Sequence, residues 1–84
     1  MYRLAKEVYL EEVDGTKVFL KSNGDAAVLN PVGKTIVDAL FNGNVESCVE
    51  LIVCDYEVSK EEAKRDVLDF VERLLNFNLI EAKQ

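Results

Sequence analysis

The chain contains no histidine and no tryptophan, and its 84 residues include one proline and two cysteines. Histidine is the commonest metal ligand and the usual general base near neutral pH, so its absence excludes much hydrolytic and metal chemistry. Basic residues are also few, because 10 Lys and Arg stand against 16 Asp and Glu for a formal net charge of −6. Such a charge repels phosphate groups. We therefore expect no metal, no other cofactor, no catalytic residue, and neither nucleic acid nor membrane as a partner.

The two cysteines are spaced for packing and not for a disulfide. Cys48 and Cys54 lie in one predicted helix, about 9 Å apart along its axis. A disulfide requires Cα atoms within about 7 Å of each other, so the two cannot pair within that helix. We expect two small thiols packed in the core of a cytoplasmic protein. The N-terminal residues also lack the apolar run of a signal peptide or a membrane-spanning segment.

The residues that are present fit one small globular domain covering residues 1–84. Hydrophobic residues make up 49% of the chain and charged residues 31%, which is typical of a folded protein and not of a disordered tail. A domain of this size buries only about 60% of the surface that its unfolded chain exposes. We therefore expect a thin hydrophobic core, and a monomer or a weak homodimer.

The first third of the chain predicts a three-stranded antiparallel sheet. Two apolar-rich runs, Val8–Val13 and Thr16–Lys21, flank Asp14-Gly15, a pair that favours a tight hairpin because it tolerates positive φ. A second turn at residues 22–25 leads into a short third strand at residues 26–29. Strands joined in sequence by tight turns form a meander, so the third strand is expected at an edge of the sheet.

The rest of the chain predicts three helices with recognisable ends. Each helix follows a residue whose side chain accepts a backbone hydrogen bond, and a left-handed glycine is expected to close the first helix. The N-cap residues are Asn30, Asn44 and Ser59, and the closing glycine is Gly43. The third helix is expected to run to about Asn76, after which residues 79–80 dock on the body and residues 81–84 form a frayed polar tail.

This order of elements predicts the α+β class and a winged helix-turn-helix-like fold, with a three-stranded antiparallel sheet followed by three helices. In DNA-binding proteins of that architecture the third helix enters the major groove. Here that helix carries many carboxylates, including Glu62, Asp66 and Asp69, which would repel the DNA backbone. The sequence therefore leaves open that the chain is a winged-helix protein-interaction domain or a transcription cofactor that does not bind DNA directly. A redox sensor that uses Cys48 and Cys54 is a further alternative.

The third helix has more apolar residues than one core-facing stripe requires. At about 100° per residue, the stripe expected to face the core consists of Ala63, Val67, Phe70, Leu74 and Phe77. A second strip on one side of it consists of Lys64, Leu68, Val71 and Leu75. Either the helix packs on two sides and this strip is further core, or the strip forms the wall of a groove.

The predicted edge strand makes a groove useful for binding a peptide. Free N–H and C=O groups at a sheet edge can pair with an extended peptide, whose alternate side chains then reach the neighbouring helix. The predicted peptide-binding residues are Ala26, Ala27, Val28, Leu29, Lys64, Val67, Leu68, Val71 and Leu75.

Between about Val18 and Ile80, the order and spacing of several segments resemble those of a known protein family. They are Ala27-Val28-Leu29-Asn30-Pro31, residues 36–40 with Asn42-Gly43, residues 45–56, residues 66–71 and Leu79-Ile80. On these the chain resembles the PqqD-like family. Members of that family often open the middle helix with Thr or Ser, whereas Asn44 stands here, and the capping role is preserved.

The resemblance implies a non-catalytic peptide chaperone, a recognition element for ribosomally made, post-translationally modified peptides. In that family the leader region of the precursor peptide adds as a strand to the third strand and lies against the third helix. The implied second partner is a modifying enzyme, such as a lasso-peptide protease and cyclase pair or a radical enzyme of quinone-cofactor synthesis.

Overall fold

The computed structural model describes residues 2–82, which form five strands and three helices. The strands are β1 (Tyr2–Leu4), β2 (Val8–Val13), β3 (Thr16–Lys21), β4 (Ala26–Val28) and β5 (Ile80–Ala82). The helices are α1 (Pro31–Asn42), α2 (Val45–Tyr56) and α3 (Lys60–Asn76). This arrangement confirms the predicted α+β class. Within residues 2–82 no helix is both long and apolar enough to cross a membrane.

The predicted meander is present as an antiparallel sheet with the order β2-β3-β4. Asp14 and Gly15 have φ of 51° and 81°, so the hairpin turn uses the left-handed backbone that this pair tolerates. The third strand lies at an edge as predicted, and it ends at Val28, one residue early. Leu29 lies just beyond the strand with its side chain buried in the core, and its N–H still donates to the Lys17 carbonyl at 2.9 Å.

A second, two-stranded sheet joins the two ends of the described chain and was not predicted. β1 and β5 are antiparallel, with Arg3 opposite Glu81 and an ion pair of 2.6 Å between their side chains. The predicted frayed tail is therefore wrong for Glu81 and Ala82, which belong to β5. Lys83 and Gln84 lie outside the described residues. This sheet could not be predicted because its two strands have three residues each and lie far apart in the sequence, so no local sequence pattern indicates their pairing.

The predicted N-caps are confirmed by their hydrogen bonds. The side-chain oxygens of Asn30, Asn44 and Ser59 accept from backbone N–H groups three residues later at 2.7, 3.0 and 3.1 Å. The prediction of a left-handed Gly43 is wrong, because its φ is −156°. Glycine instead makes room there, since a Cβ would lie 2.6 Å from the Ser47 hydroxyl oxygen.

The core lies between the sheets and the three helices, with Phe19 of β3 fully buried in it. From α3 the buried residues are Ala63, Val67, Val71 and Leu74. The prediction that Phe77 faces the core is wrong, because its side chain is 66% exposed. Asn78, with φ of 58°, turns the chain immediately after the helix, and Leu79 enters the core in place of Phe77.

The two cysteines differ in their surroundings. Cys48 is buried, and its thiol donates to the Ile36 carbonyl at 3.3 Å. Cys54 is exposed, so the prediction of a packed thiol is wrong there. Six residues along a helix correspond to a rotation of about 240°, which carries Cys54 away from the face that buries Cys48.

Candidate functional site

Within residues 2–82, strand β4 has backbone groups to which no other strand is hydrogen-bonded. The N–H of Lys21 donates to the Asp25 carbonyl and that of Leu29 to the Lys17 carbonyl, both at 2.9 Å. In an antiparallel ladder the backbone groups of alternate residues point to the same neighbour, so residues 25, 27 and 29 bond towards β3. The N–H and C=O groups of Ala26 and Val28 therefore face the open edge, with room for four hydrogen bonds to an added strand.

The side chains of β4 alternate between the two faces of the sheet. Ala27 pairs with buried Phe19 and points to the core side, where it is half-buried. Ala26 and Val28 point to the opposite side, and Val28 is 70% exposed. A strand added to this edge inherits the alternation. Its residue opposite Ala27 would point inwards, and its residues opposite Ala26 and Val28 would point outwards.

A cavity of about 310 Å³ lies on the inward side of this edge. Its lining residues are Lys21, Asp25, Ala26, Ala27, Phe77 and Leu79. The Lys21 ammonium donates to the Phe77 carbonyl at 3.2 Å, which ties the end of α3 to the end of β3. This bond and the turn at Asn78 hold the Phe77 ring beside β4.

A second cavity of about 330 Å³ separates the start of α1 from α3. It opens at Asn30, two residues beyond β4, and its α3 residues are Asp66, Asp69, Phe70 and Arg73. A Cβ on Gly33 would lie 3.3 Å from the tip of the Phe70 ring, so glycine allows that ring to pack against α1. Arg73 forms an ion pair with Asp69 at 3.2 Å. We call these two cavities, the first beside β4 and the second between α1 and α3, the groove.

The residues of α3 and of its C-cap, Phe77, that line this groove differ from those that the sequence suggested. Phe70, Arg73 and Phe77 lie at about 280–340° on the helix wheel, with Ala63 at 0°, and we call them the groove flank. Three of the predicted wall residues, Lys64, Leu68 and Leu75, lie at about 100–140°, and we call them the far flank. The core face separates the two flanks. Leu68 is 46% exposed, Lys64 is exposed and Leu75 is half-buried.

The other predicted site residues are distributed between the edge and the core. Ala26, Ala27 and Val28 form β4 as expected, whereas Leu29 is buried with 7% of its surface exposed. Val71 of the second strip is 3% exposed, so the structure favours the interpretation of that residue as core, and Val67, predicted for both the core stripe and the site, is 0% exposed. Phe77 was missed because helical spacing alone assigns it to the core. The neighbouring Asn78, a residue that tolerates the left-handed turn, was the signal that the helix ends before it.

The described residues include no cluster of metal ligands, and their buried thiol is not activated. Within residues 2–82 no group of three His, Cys, Asp or Glu side chains is placed to hold a metal ion. Burial raises the pKa of the Cys48 thiol, so it stays protonated and a poor nucleophile near neutral pH. What remains is an open strand edge beside the groove, an arrangement to which an extended peptide can add as a strand.

Two solved structures match the fold over nearly their whole length. One, a lasso peptide synthetase B1 complexed with the leader peptide, has a TM-score of 0.88 at 24% identity, covering 96% of this chain and 98% of that one. The other, TbiB1 in complex with the TbiA(beta) leader peptide, has a TM-score of 0.84 at 27% identity and covers 98% of each chain.

No curated protein matches the sequence. A family model does, that of the coenzyme PQQ synthesis protein D, and the match spans residues 9–80. Those residues include the hairpin, the open edge, all three helices and the start of β5. This chain therefore belongs to the PqqD family.

Proposed function

We propose that this chain recognises the leader region of a ribosomally made precursor peptide and presents it to a modifying enzyme or protease, without catalysing a reaction itself. The family match and the two leader-peptide complexes among its structural neighbours support this proposal. One neighbour is by its name a lasso peptide synthetase B1, which favours a lasso-peptide protease and cyclase pair over a radical enzyme. The free thiols of Cys48 and Cys54 fit a reducing cytoplasm.

The open edge at Ala26 and Val28 is the observation that carries the proposal. Four hydrogen bonds contribute about 0.5–1.5 kcal/mol each, and two inward apolar side chains add about 1.5–3 kcal/mol each. Ordering the peptide opposes these gains. The sum of these favourable contributions and the ordering cost corresponds to an affinity in the micromolar range or somewhat tighter.

The leader is proposed to lie between β4 and the groove flank. Its inward side chain opposite Ala27 enters the cavity beside Phe77 and Leu79. The next inward side chain, towards Asn30, lies nearer to Phe70. The first position favours an apolar or aromatic side chain, because Phe77 presents an exposed ring and Leu79 an apolar floor.

Charge placed on either flank of α3 tests this site against the wall that the sequence suggested. Phe77→Glu and Leu68→Glu each replace an exposed apolar residue, 66% and 46% exposed, so both variants should keep the helical circular dichroism of the parent. We expect Phe77→Glu to weaken binding of a synthetic leader peptide at least about tenfold by calorimetry. Leu68→Glu should bind as the parent does.

The reverse result would place the peptide on the far flank. If both variants bind the leader as tightly as the parent does, α3 is not part of the site and the strand edge is the whole binding site. Val71→Glu is not a useful probe of binding, because Val71 is buried and a charge there would unfold the domain.

A further inference from the structure

The cavity between α1 and α3 combines an apolar lining with carboxylates. Val32, Ile36 and Phe70 supply its apolar part, where Ile36 is buried and Phe70 is half-buried. Asp66 and Asp69 line the same cavity and are exposed to water. A long basic side chain has the matching chemistry, because Lys and Arg bury an aliphatic stem along apolar surface and keep the charged head in water.

Within residues 2–82, Asp66 is the acidic residue of this cavity that forms no ion pair, whereas the carboxylate of Asp69 pairs with Arg73 at 3.2 Å. Residues three or four positions apart are neighbours on a helix surface. At that spacing Asp66 has two acidic neighbours, Glu62 and Asp69, and no basic one. Like charges so placed destabilise a helix, and a cation supplied by a ligand would relieve their repulsion.

The open edge leads an added strand into this cavity. The cavity opens at Asn30, two residues beyond the end of β4 at Val28. Successive inward side chains of a strand are two residues, or about 6.8 Å, apart. A leader with one inward side chain opposite Ala27 therefore brings the next to the α1 side of the groove. Asp66 lies there at about 300° on the helix wheel, within the range of the groove flank.

We propose, resting on the function proposed above, that the second inward side chain of the bound leader is a Lys or Arg whose charged group pairs with Asp66. Its aliphatic stem lies along Phe70, and a cation beside that ring is also attracted to the ring face. The groove then selects two leader residues spaced two apart, an apolar one beside Phe77 and a basic one beside Asp66. Asp66 is thus a specificity-determining residue of the site.

The opposite choice, an acidic leader side chain that pairs with Arg73, is disfavoured by the same contacts. The guanidinium of Arg73 is already paired with Asp69. The carboxylates of Asp66 and Asp69 with this one guanidinium leave the cavity a formal charge of −1. An acidic side chain would have to displace Asp69 and lie beside Asp66, so the cavity selects against acidic residues as well as for basic ones.

The test combines a charge scan of the leader with a charge reversal on α3. The probe is the synthetic leader of the precursor encoded beside this chain's gene, with each residue replaced in turn by Lys and by Glu, and binding is measured by calorimetry. The variant is Asp66→Lys. The control, Glu72→Lys, makes the same change of net charge at an exposed residue at about 180° on the helix wheel, away from the groove flank. Circular dichroism checks that both variants are folded.

We expect one leader position to favour Lys over Glu about tenfold when the parent chain is the receptor. It should lie two residues from the apolar anchor, the position where Lys and Glu both weaken binding most. Asp66→Lys should reverse the preference at that position, and Glu72→Lys should keep it. The preference should shrink as salt is raised, because salt screens an exposed ion pair.

If the parent chain does not bind the leader at all, the proposed function itself is wrong. If it binds but no position prefers Lys, or if the preference persists in Asp66→Lys, this inference is wrong and leader recognition stands. A preference reversed equally by Glu72→Lys would mean that net charge acts on the peptide without a local pair, which also overturns the inference.

Discussion

Two adjacent residues of α3 allow a direct test of which face of this helix forms the core. Val67 is 0% exposed and Leu68 is 46% exposed, although both were predicted from sequence to line one peptide-binding wall. Val67→Ala removes two buried methyl-sized groups worth about 0.8 kcal/mol each and leaves a cavity that adds to the cost. Alanine's better helix propensity returns about 0.5 kcal/mol. The net loss of stability should be about 2 kcal/mol.

Leu68→Ala removes a larger side chain but one that is half in water already, so its cost should stay below about 1 kcal/mol. For a domain of this size the expected fall in Tm is roughly 10–15 °C for Val67→Ala and a few degrees for Leu68→Ala. Urea unfolding followed by circular dichroism gives both free energies. Equal losses, or a larger loss for Leu68→Ala, would refute the assignment of the core face.

Two further predictions concern single residues elsewhere. A thiol reagent should modify one cysteine, Cys54, in the native protein and two in denaturant, because Cys48 is buried and its raised pKa keeps the thiol protonated; modification of both at equal rates would contradict this. Gly15→Ala should lower stability by about 1 kcal/mol in urea unfolding, since Gly15 has φ of 81°, and an unchanged midpoint would mean that the turn relaxes.

The elements that the sequence predicted well are those with local causes. The hairpin follows from two residues that tolerate positive φ, and the helices follow from caps such as Asn44 and Ser59 whose bonds span three residues. The position of β4 at a sheet edge also follows from short connections. Each of these features is determined by residues that are close together in the sequence, so it can be predicted from the sequence alone.

The features that escaped prediction depend on contacts between distant parts of the chain. β1 pairs with β5 across almost the whole sequence, and neither strand is longer than three residues. The side of α3 that faces β4 depends on how the helix is rotated over the sheet, which helical spacing does not determine. For this reason Leu68 was predicted from the sequence as part of the groove wall, whereas the cavities in the structure are lined by Phe70 and Phe77.

The proposed binding mode is the pairing of the leader, as a strand, with Ala26 and Val28. Its most direct test is a set of synthetic leader peptides, each with one backbone N-methyl group, moved one residue at a time and measured by calorimetry. In a strand, alternate N–H groups point to the same side. Methylation should therefore weaken binding at least about tenfold at every second residue across the contact, with near-normal binding at the residues between. Uniform loss, or affinities with no two-residue period, would contradict strand addition at this edge.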